Sequence, residues 1–324
     1  MTLRDRTRRR IDYLRLSITD RCDLRCRYCM PAGGLPVLPA AARLNDDDLV
    51  AVAAVAVDLG VRKIRLTGGE PLVHPRVVAL VARLRALPRL ERLALTTNGQ
   101  RLAALAAPLA GAGLDAVNIS VDSLRADRYA AITRGGDLVR WRAGLDAALA
   151  AGLPVKLNVV VMAGINDDEI LDFADLAARL PVTVRFVEYM PTRGGDPAPL
   201  TVPSGRVLEA VMARHALAAR PAAAGAGPAH EYDLVGGAGG VGVIPAVTHR
   251  FCDACNRLRI GADGRARGCL FARQSVDLHP LLAAGDRDGL AYALRSLVWR
   301  RPRHHHLDAP DRDDDAPAMS RLGG

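Results

Sequence analysis

The chain has 324 residues, half of them hydrophobic and only 4% aromatic, and a formal net charge of +9. That length allows one large domain with an extension, or two smaller ones. No apolar run approaches the roughly 18 residues of a membrane span, the charged start from Met1 to Arg10 lacks the apolar stretch of a signal peptide, and the scarcity of aromatics argues against a nucleic-acid-binding module.

A cytoplasmic location is the default expectation. Six cysteines in two triples suit a reducing compartment and metal binding better than disulfides. Of the 44 basic residues only Lys63 and Lys156 are lysine. Much of the arginine reads as solvated surface, yet the excess would also draw a polyanion such as a nucleoside triphosphate.

In chain order, residues 1–12 form a basic arm. A strand over 13–19 then leads into Cys22, Cys26 and Cys29, spaced CxxxCxxC. Three thiolates leave one position of a metal centre open, where a small molecule can bind. A zinc knuckle completed by a distant His is the plainer alternative. Asn45 can cap a helix after a Pro- and Gly-rich loop. Strands follow over 63–67, 92–97, 116–122, 155–162 and 182–190. Helical stretches alternate with them over 76–87, 102–110, 125–132, 141–151 and 166–180, the last opening on a capping box at Asn166. Six β/α units predict a parallel sheet with outer helices. Unusual residues cluster at or after the C-terminal strand ends: Gly68-Gly69-Glu70-Pro71, Thr97-Asn98-Gly99, Ser120 with Asp122, and Glu188 to Pro191. In a β/α barrel that edge carries the active site.

Beyond Pro191 the pattern weakens. A short helix is expected over 205–218, a boundary over 220–228, and strands near 231–235 and 241–244. The domain expectation is therefore 1–220 and 221–324. Cys252, Cys255 and Cys269 form a second triple; His249 could complete a zinc site there, and an iron–sulfur centre is the open alternative. The run Arg303-His304-His305-His306 and the acidic stretch 311–315 read as solvated surface and linker. Gly323-Gly324 ends the chain.

CxxxCxxC with Tyr28 before the third cysteine resembles the signature of the radical S-adenosylmethionine (SAM) superfamily. Within it, the chain resembles the GTP 3′,8-cyclase family of molybdenum-cofactor biosynthesis. The likeness runs from the arm to the tail, through Tyr13-Leu14-Arg15, Ile64 to Pro71, Thr96 to Gly99, Lys156-Leu157-Asn158, Phe186 to Pro191 and Phe251 to Arg259. It implies a partial (β/α)6 barrel of TIM type with an open side and a C-terminal extension carrying a second cluster. It implies two 4Fe–4S clusters, on Cys22, Cys26 and Cys29 and on Cys252, Cys255 and Cys269. Tyr28, Gly69, Ser120 and Met190 would line the SAM site, the two glycines lying close to its methionyl end. Arg15, Arg65, Thr96, Lys156, Arg257, Leu258 and Arg259 would hold GTP, with Lys63 and Arg185 as lesser candidates. Gly323 and Gly324 would thread into the site. An external electron donor and the next enzyme, cyclic pyranopterin monophosphate synthase, would be partners of a monomer or homodimer. A peptide-modifying radical enzyme is the rival reading. Arg8, Asp23 and Gly33 depart from that family's usual Gly, Asn and Glu.

Overall fold

In the first strand, β1 (Tyr13–Ser17), Leu14 and Leu16 are fully buried in the apolar core, while Tyr13 and Arg15 face a central cavity. A strand with an apolar back and a polar front needs that two-residue period. The same alternation recurs around the structure, a computed structural model that describes residues 2–190, 201–221, 227–272 and 274–304.

Helix α1 (Asp46–Asp58) starts where expected. The Asn45 side chain accepts from the amides of Asp47 and Asp48, and Asp48 reaches back to the Asn45 amide. Then come β2 (Lys63–Thr67), α2 (Val77–Arg85), β3 (Arg92–Thr97), α3 (Leu102–Gly111), β4 (Ala116–Ser120), α4 (Ala126–Thr133), α5 (Leu138–Ala150), β5 (Val155–Val161), α6 (Ile170–Arg179) and β6 (Val182–Glu188). Strands β1 to β6 pair in parallel, in chain order, as the six-unit reading requires.

After α7 (Ser204–Met212), strands β7 (Leu217–Ala219), β8 (His230–Leu234) and β9 (Gly240–Ile244) form an antiparallel meander. Its last strand lies parallel to β6. The chain then crosses to the other end of the sheet. There β10 (Arg257–Ile260) runs parallel to β1, followed by the antiparallel β11 (Arg265–Arg267) and β12 (Val276–Asp277). Helices α8 (His279–Ala283) and α9 (Arg287–Trp299) close the described chain. All 12 described strands form one sheet, with β12 and β7 at its two ends, so the wall stays open on one side. Strands from both sides of residue 220 belong to it.

Two local expectations need correction. Asn166 caps nothing: its amide donates to the carbonyls of Asp122 and Val160, and its oxygen accepts from the Met162 amide. It pins the loop after β4 to the end of β5. The helix expected over 205–218 stops at Met212, and 217–219 pairs as β7.

The basic arm is anchored rather than loose. Arg9 is buried, binds Asp5 at 2.6 Å, and donates to the carbonyls of Cys252 (2.7 Å), Pro302 (2.8 Å) and Arg303 (2.7 Å). Arg8, just before it, has φ +63°. A left-handed backbone suits glycine, so the unusual arginine carries strain there. Arg8→Gly is expected to add about 0.5–1 kcal/mol and raise the melting temperature by about 1–3 °C. Calorimetry tests this; a lower melting temperature would contradict it.

Candidate active site

One cavity of about 1110 Å³ runs through the barrel. It is lined by all six cysteines, by Tyr28, Gly69, Ser120 and Met190, and by Arg15, Arg65, Thr96, Lys156, Arg257 and Arg259. Lys63 and Arg185 line it too. Leu258 does not: its side chain is fully buried in the apolar core, so only its backbone can serve a ligand. Gly323 and Gly324, with His305 and His306, lie outside the described residues.

The register places the two cysteine triples at opposite ends of this channel. Cys22 follows the C-terminal end of β1, whereas Cys255 precedes Arg257, which pairs with Tyr13 at the N-terminal end of the same strand. Both triples therefore open onto one space from different sides.

The first cysteine loop is held from below. The amides of Arg25 and Arg27 bond the carbonyls of Thr133 and Ile132 at the end of α4, and Arg134 donates to the carbonyls of Arg25 and Met30. The Tyr28 hydroxyl donates to Asp122 at 2.8 Å. Burial pushes the Cys22 thiol up to about 12 and Cys26 well above its ordinary range. Coordination to a metal would deprotonate such thiols.

Gly68 and Gly69 line the cavity and also pack against a second neighbour. A Cβ on Gly69 would stand 2.3 Å from the Arg21 carbonyl oxygen, and one on Gly68 2.4 Å from that of Thr19. These glycines let the β2 loop pack against the backbone of the cysteine loop, an approach fixed by the Glu70 amide donating to Arg21 at 2.7 Å. Gly69→Ala is expected to displace that loop and lower bound iron at the first triple by half or more, a clash cost of about 1–3 kcal/mol or greater. Iron analysis after anaerobic purification tests it; full iron content would refute it.

At the other end, Arg9 holds the Cys252 carbonyl and Arg301 donates to that of Cys255 at 2.9 Å. Burial alone would raise the Cys255 thiol, but Arg257 and Arg301 outweigh it and hold it down to about 6. Arg257 also stacks on Phe251, 4.8 Å from the ring centre. His249, the donor a zinc site would need, is exposed and its ring pairs with Thr248. Among the described residues, no three His, Cys, Asp or Glu side chains are arranged to chelate a single ion. Six thiols in two open sets of three suit cysteine-held clusters with a vacant iron position.

Between the triples the lining is crowded with cations. Arg65 donates to the Tyr13 hydroxyl (2.6 Å), the Leu95 carbonyl (3.2 Å) and Thr96 (3.3 Å). Arg185 donates twice to Asn158 Oδ1. Burial lowers Arg15 and Arg185 to about 10, and burial with Arg15 and Arg257 nearby holds Arg259 well below the usual arginine range. Tyr13 would be raised by burial, but Arg65, Arg15 and Lys63 bring it down to about 7. Cations packed this closely call for an anion.

Several lining residues escaped sequence reasoning. Thr67, at the end of β2, is buried, and its hydroxyl finds no partner among the described residues. Such an orphan beside Gly68 fits a site made to receive a ligand. Glu231 also faces the cavity; Asn158 and Asp122, named above only within motifs, line it and brace Tyr28 respectively. The available signal was the polar half of each strand's alternation. At the departures, Asp23 accepts from Asn98 and Arg101, and a Cβ at Gly33 would meet nothing within 4 Å.

The curved α/β wall and the cysteine loop at its C-terminal edge define a radical SAM enzyme. Residues 16–177 match the model of the Radical SAM superfamily, and residues 182–307 match that of Molybdenum Cofactor Synthesis C. SuiB of Streptococcus suis, solved with S-adenosylmethionine, shares the fold: TM-score 0.61 at 14% identity, covering 88% of this chain and 68% of that one. The chain is 47% identical to the GTP 3′,8-cyclase of Geobacter sulfurreducens over all of both chains, and 47% identical to that of Moorella thermoacetica over 99% of this chain and 100% of the other. It belongs to the GTP 3′,8-cyclase family.

Proposed function

We propose that the channel holds GTP lengthwise and cyclises it to (8S)-3′,8-cyclo-7,8-dihydroguanosine 5′-triphosphate, the first step of molybdenum-cofactor biosynthesis. The observation that carries this reading is the shared cavity, which both cysteine triples line together with a crowd of cations. Loaded with two 4Fe–4S clusters and SAM, the site would supply one-electron radical chemistry to take the ribose 3′ hydrogen and let C3′ bond to guanine C8, with a further electron from an external donor and a proton completing the 7,8-dihydro product.

The chain's own residues do the positioning. Cys22, Cys26 and Cys29 hold the first cluster, and Tyr28, Gly69, Ser120 and Met190 bound the SAM pocket. Cys252, Cys255 and Cys269 hold the second cluster at the guanine end. Arg15, Arg65, Thr96, Lys156, Arg257 and Arg259, aided by Lys63 and Arg185, hold GTP, the cations among them taking its phosphates. Arginine forks suit phosphate oxygens bidentately. Gripping the nucleotide at both ends fixes its ribose, which turns a chance encounter into an oriented one. The apolar back of each strand excludes water from behind the lining.

We extend this to the tail. Arg301 to His304 line the channel mouth, with Pro302 and Arg303 clamped by Arg9. Twenty further residues reach Gly324, an extended span of roughly 65 Å. Deleting Gly323 and Gly324 is expected to abolish cyclisation while both clusters stay loaded; unchanged turnover would refute the role. An external electron donor is required, and cyclic pyranopterin monophosphate synthase would take the product.

The deciding experiment is anaerobic incubation with GTP, SAM and a reductant. 5′-Deoxyadenosine and a cyclised nucleotide should appear together. A protein that cleaves SAM but leaves GTP intact would overturn the reading in favour of the peptide-modifying alternative.

A further inference from the structure

Lys156, on β5, is not free in the channel. Its ammonium lies in a short ion pair with Glu231 on β8, three strands away along the sheet. The other carboxylate oxygen accepts from Arg220 at 3.3 Å, and Arg220 also pairs with Asp233 outside. Gly242 makes this reach possible. It stands opposite both Arg185 and Glu231, and a Cβ there would come within 3.1 Å of Glu231 Cγ. Glu231 is thus a carboxylate set into a cationic lining, closing on one of the cations that a triphosphate needs.

We propose that Glu231 sets the affinity for the nucleotide, acting as an internal anion that occupies Lys156 in the empty channel and must give it up when phosphate arrives. The inference rests on the reading of Lys156 as a phosphate ligand. Burial lowers the Lys156 ammonium, while Lys156 and Arg185 together hold Glu231 below the usual carboxylate range against its own burial. The contact itself sets an ammonium against a carboxylate as an ion pair. A triphosphate that takes Lys156 has to part this pair and approach a carboxylate of like sign, which opposes binding.

The test is equilibrium binding to the anaerobic, cluster-loaded protein without SAM, so that no turnover occurs. Glu231→Gln keeps the shape and removes the charge. It should lower the dissociation constant for GTP about five- to tenfold, and leave that for guanosine, which has no phosphate, unchanged. Lys156→Ala should weaken GTP about tenfold or more. GTP affinity unchanged or weakened in Glu231→Gln, with Lys156→Ala weakened, overturns the inference alone. So does equal tightening of guanosine, which would mark a loosened channel rather than a displaced charge. If Lys156→Ala binds GTP normally, the phosphate reading of Lys156 falls, and the inference with it. Iron content equal to the parent shows that each variant is folded and loaded.

Discussion

Replacing Cys252, Cys255 and Cys269 together by serine should remove about half of the bound iron and reduce cyclisation by more than about a hundredfold. Reductive cleavage of SAM should persist, because the first triple sits at the other end of the channel on its own loop. The split between the two readouts is the point. Arg9 and Arg301 grip the backbone of the second loop through carbonyl oxygens, so the serine loop keeps its anchors. A loss of cyclisation would then report the missing thiolates. Iron and sulfide analysis, 5′-deoxyadenosine release and nucleotide product measured on one sample check it. Retention of cyclisation would leave the second triple without a part in the reaction. Loss of SAM cleavage as well would mean that the two ends do not work independently.

Arg65→Ala is expected to weaken GTP about a hundredfold. Arg65 is 6% exposed and holds three partners at once. Its removal takes away a desolvated cation and leaves Thr96 and the Tyr13 hydroxyl without their shared donor. Arg65→Lys restores the charge but not the fork, so it should recover only part of the loss. Binding of GTP in the absence of SAM measures both variants. Full recovery by lysine would show that charge alone matters at this position. An unaltered alanine variant would remove Arg65 from the phosphate site.

Much of this site could be read from the residues in order. The cysteine triples are local patterns, and β1 to β6 announce themselves by alternation, because apolar positions such as Leu14, Leu16, Ile64 and Leu66 must face the core. Asn45 was legible as a cap since its partners lie two and three residues on. Asn166 was not, because its side chain answers to Asp122, 44 residues away. The same holds for Glu231, whose partner is 75 residues off. Strand β10 was hidden for another reason. Arg257-Leu258-Arg259-Ile260 is too short to show a period, and β1 beside it defines it as a strand. The packing of Gly68 and Gly69 on Thr19 and Arg21 was not legible, because it depends on a loop that only the folded chain brings near.

The pairing of β1 with β10 joins segments some 240 residues apart in sequence, from Tyr13 to Arg257. Contacts of such separation form late, since a long loop must close first. During synthesis the first strand therefore waits with one flank bare until nearly four-fifths of the polypeptide has emerged. A product cut short before Arg257 would keep the first cysteine loop but expose an unpaired strand edge, which invites self-association. Such a fragment should be recovered as aggregate rather than as a smaller working enzyme.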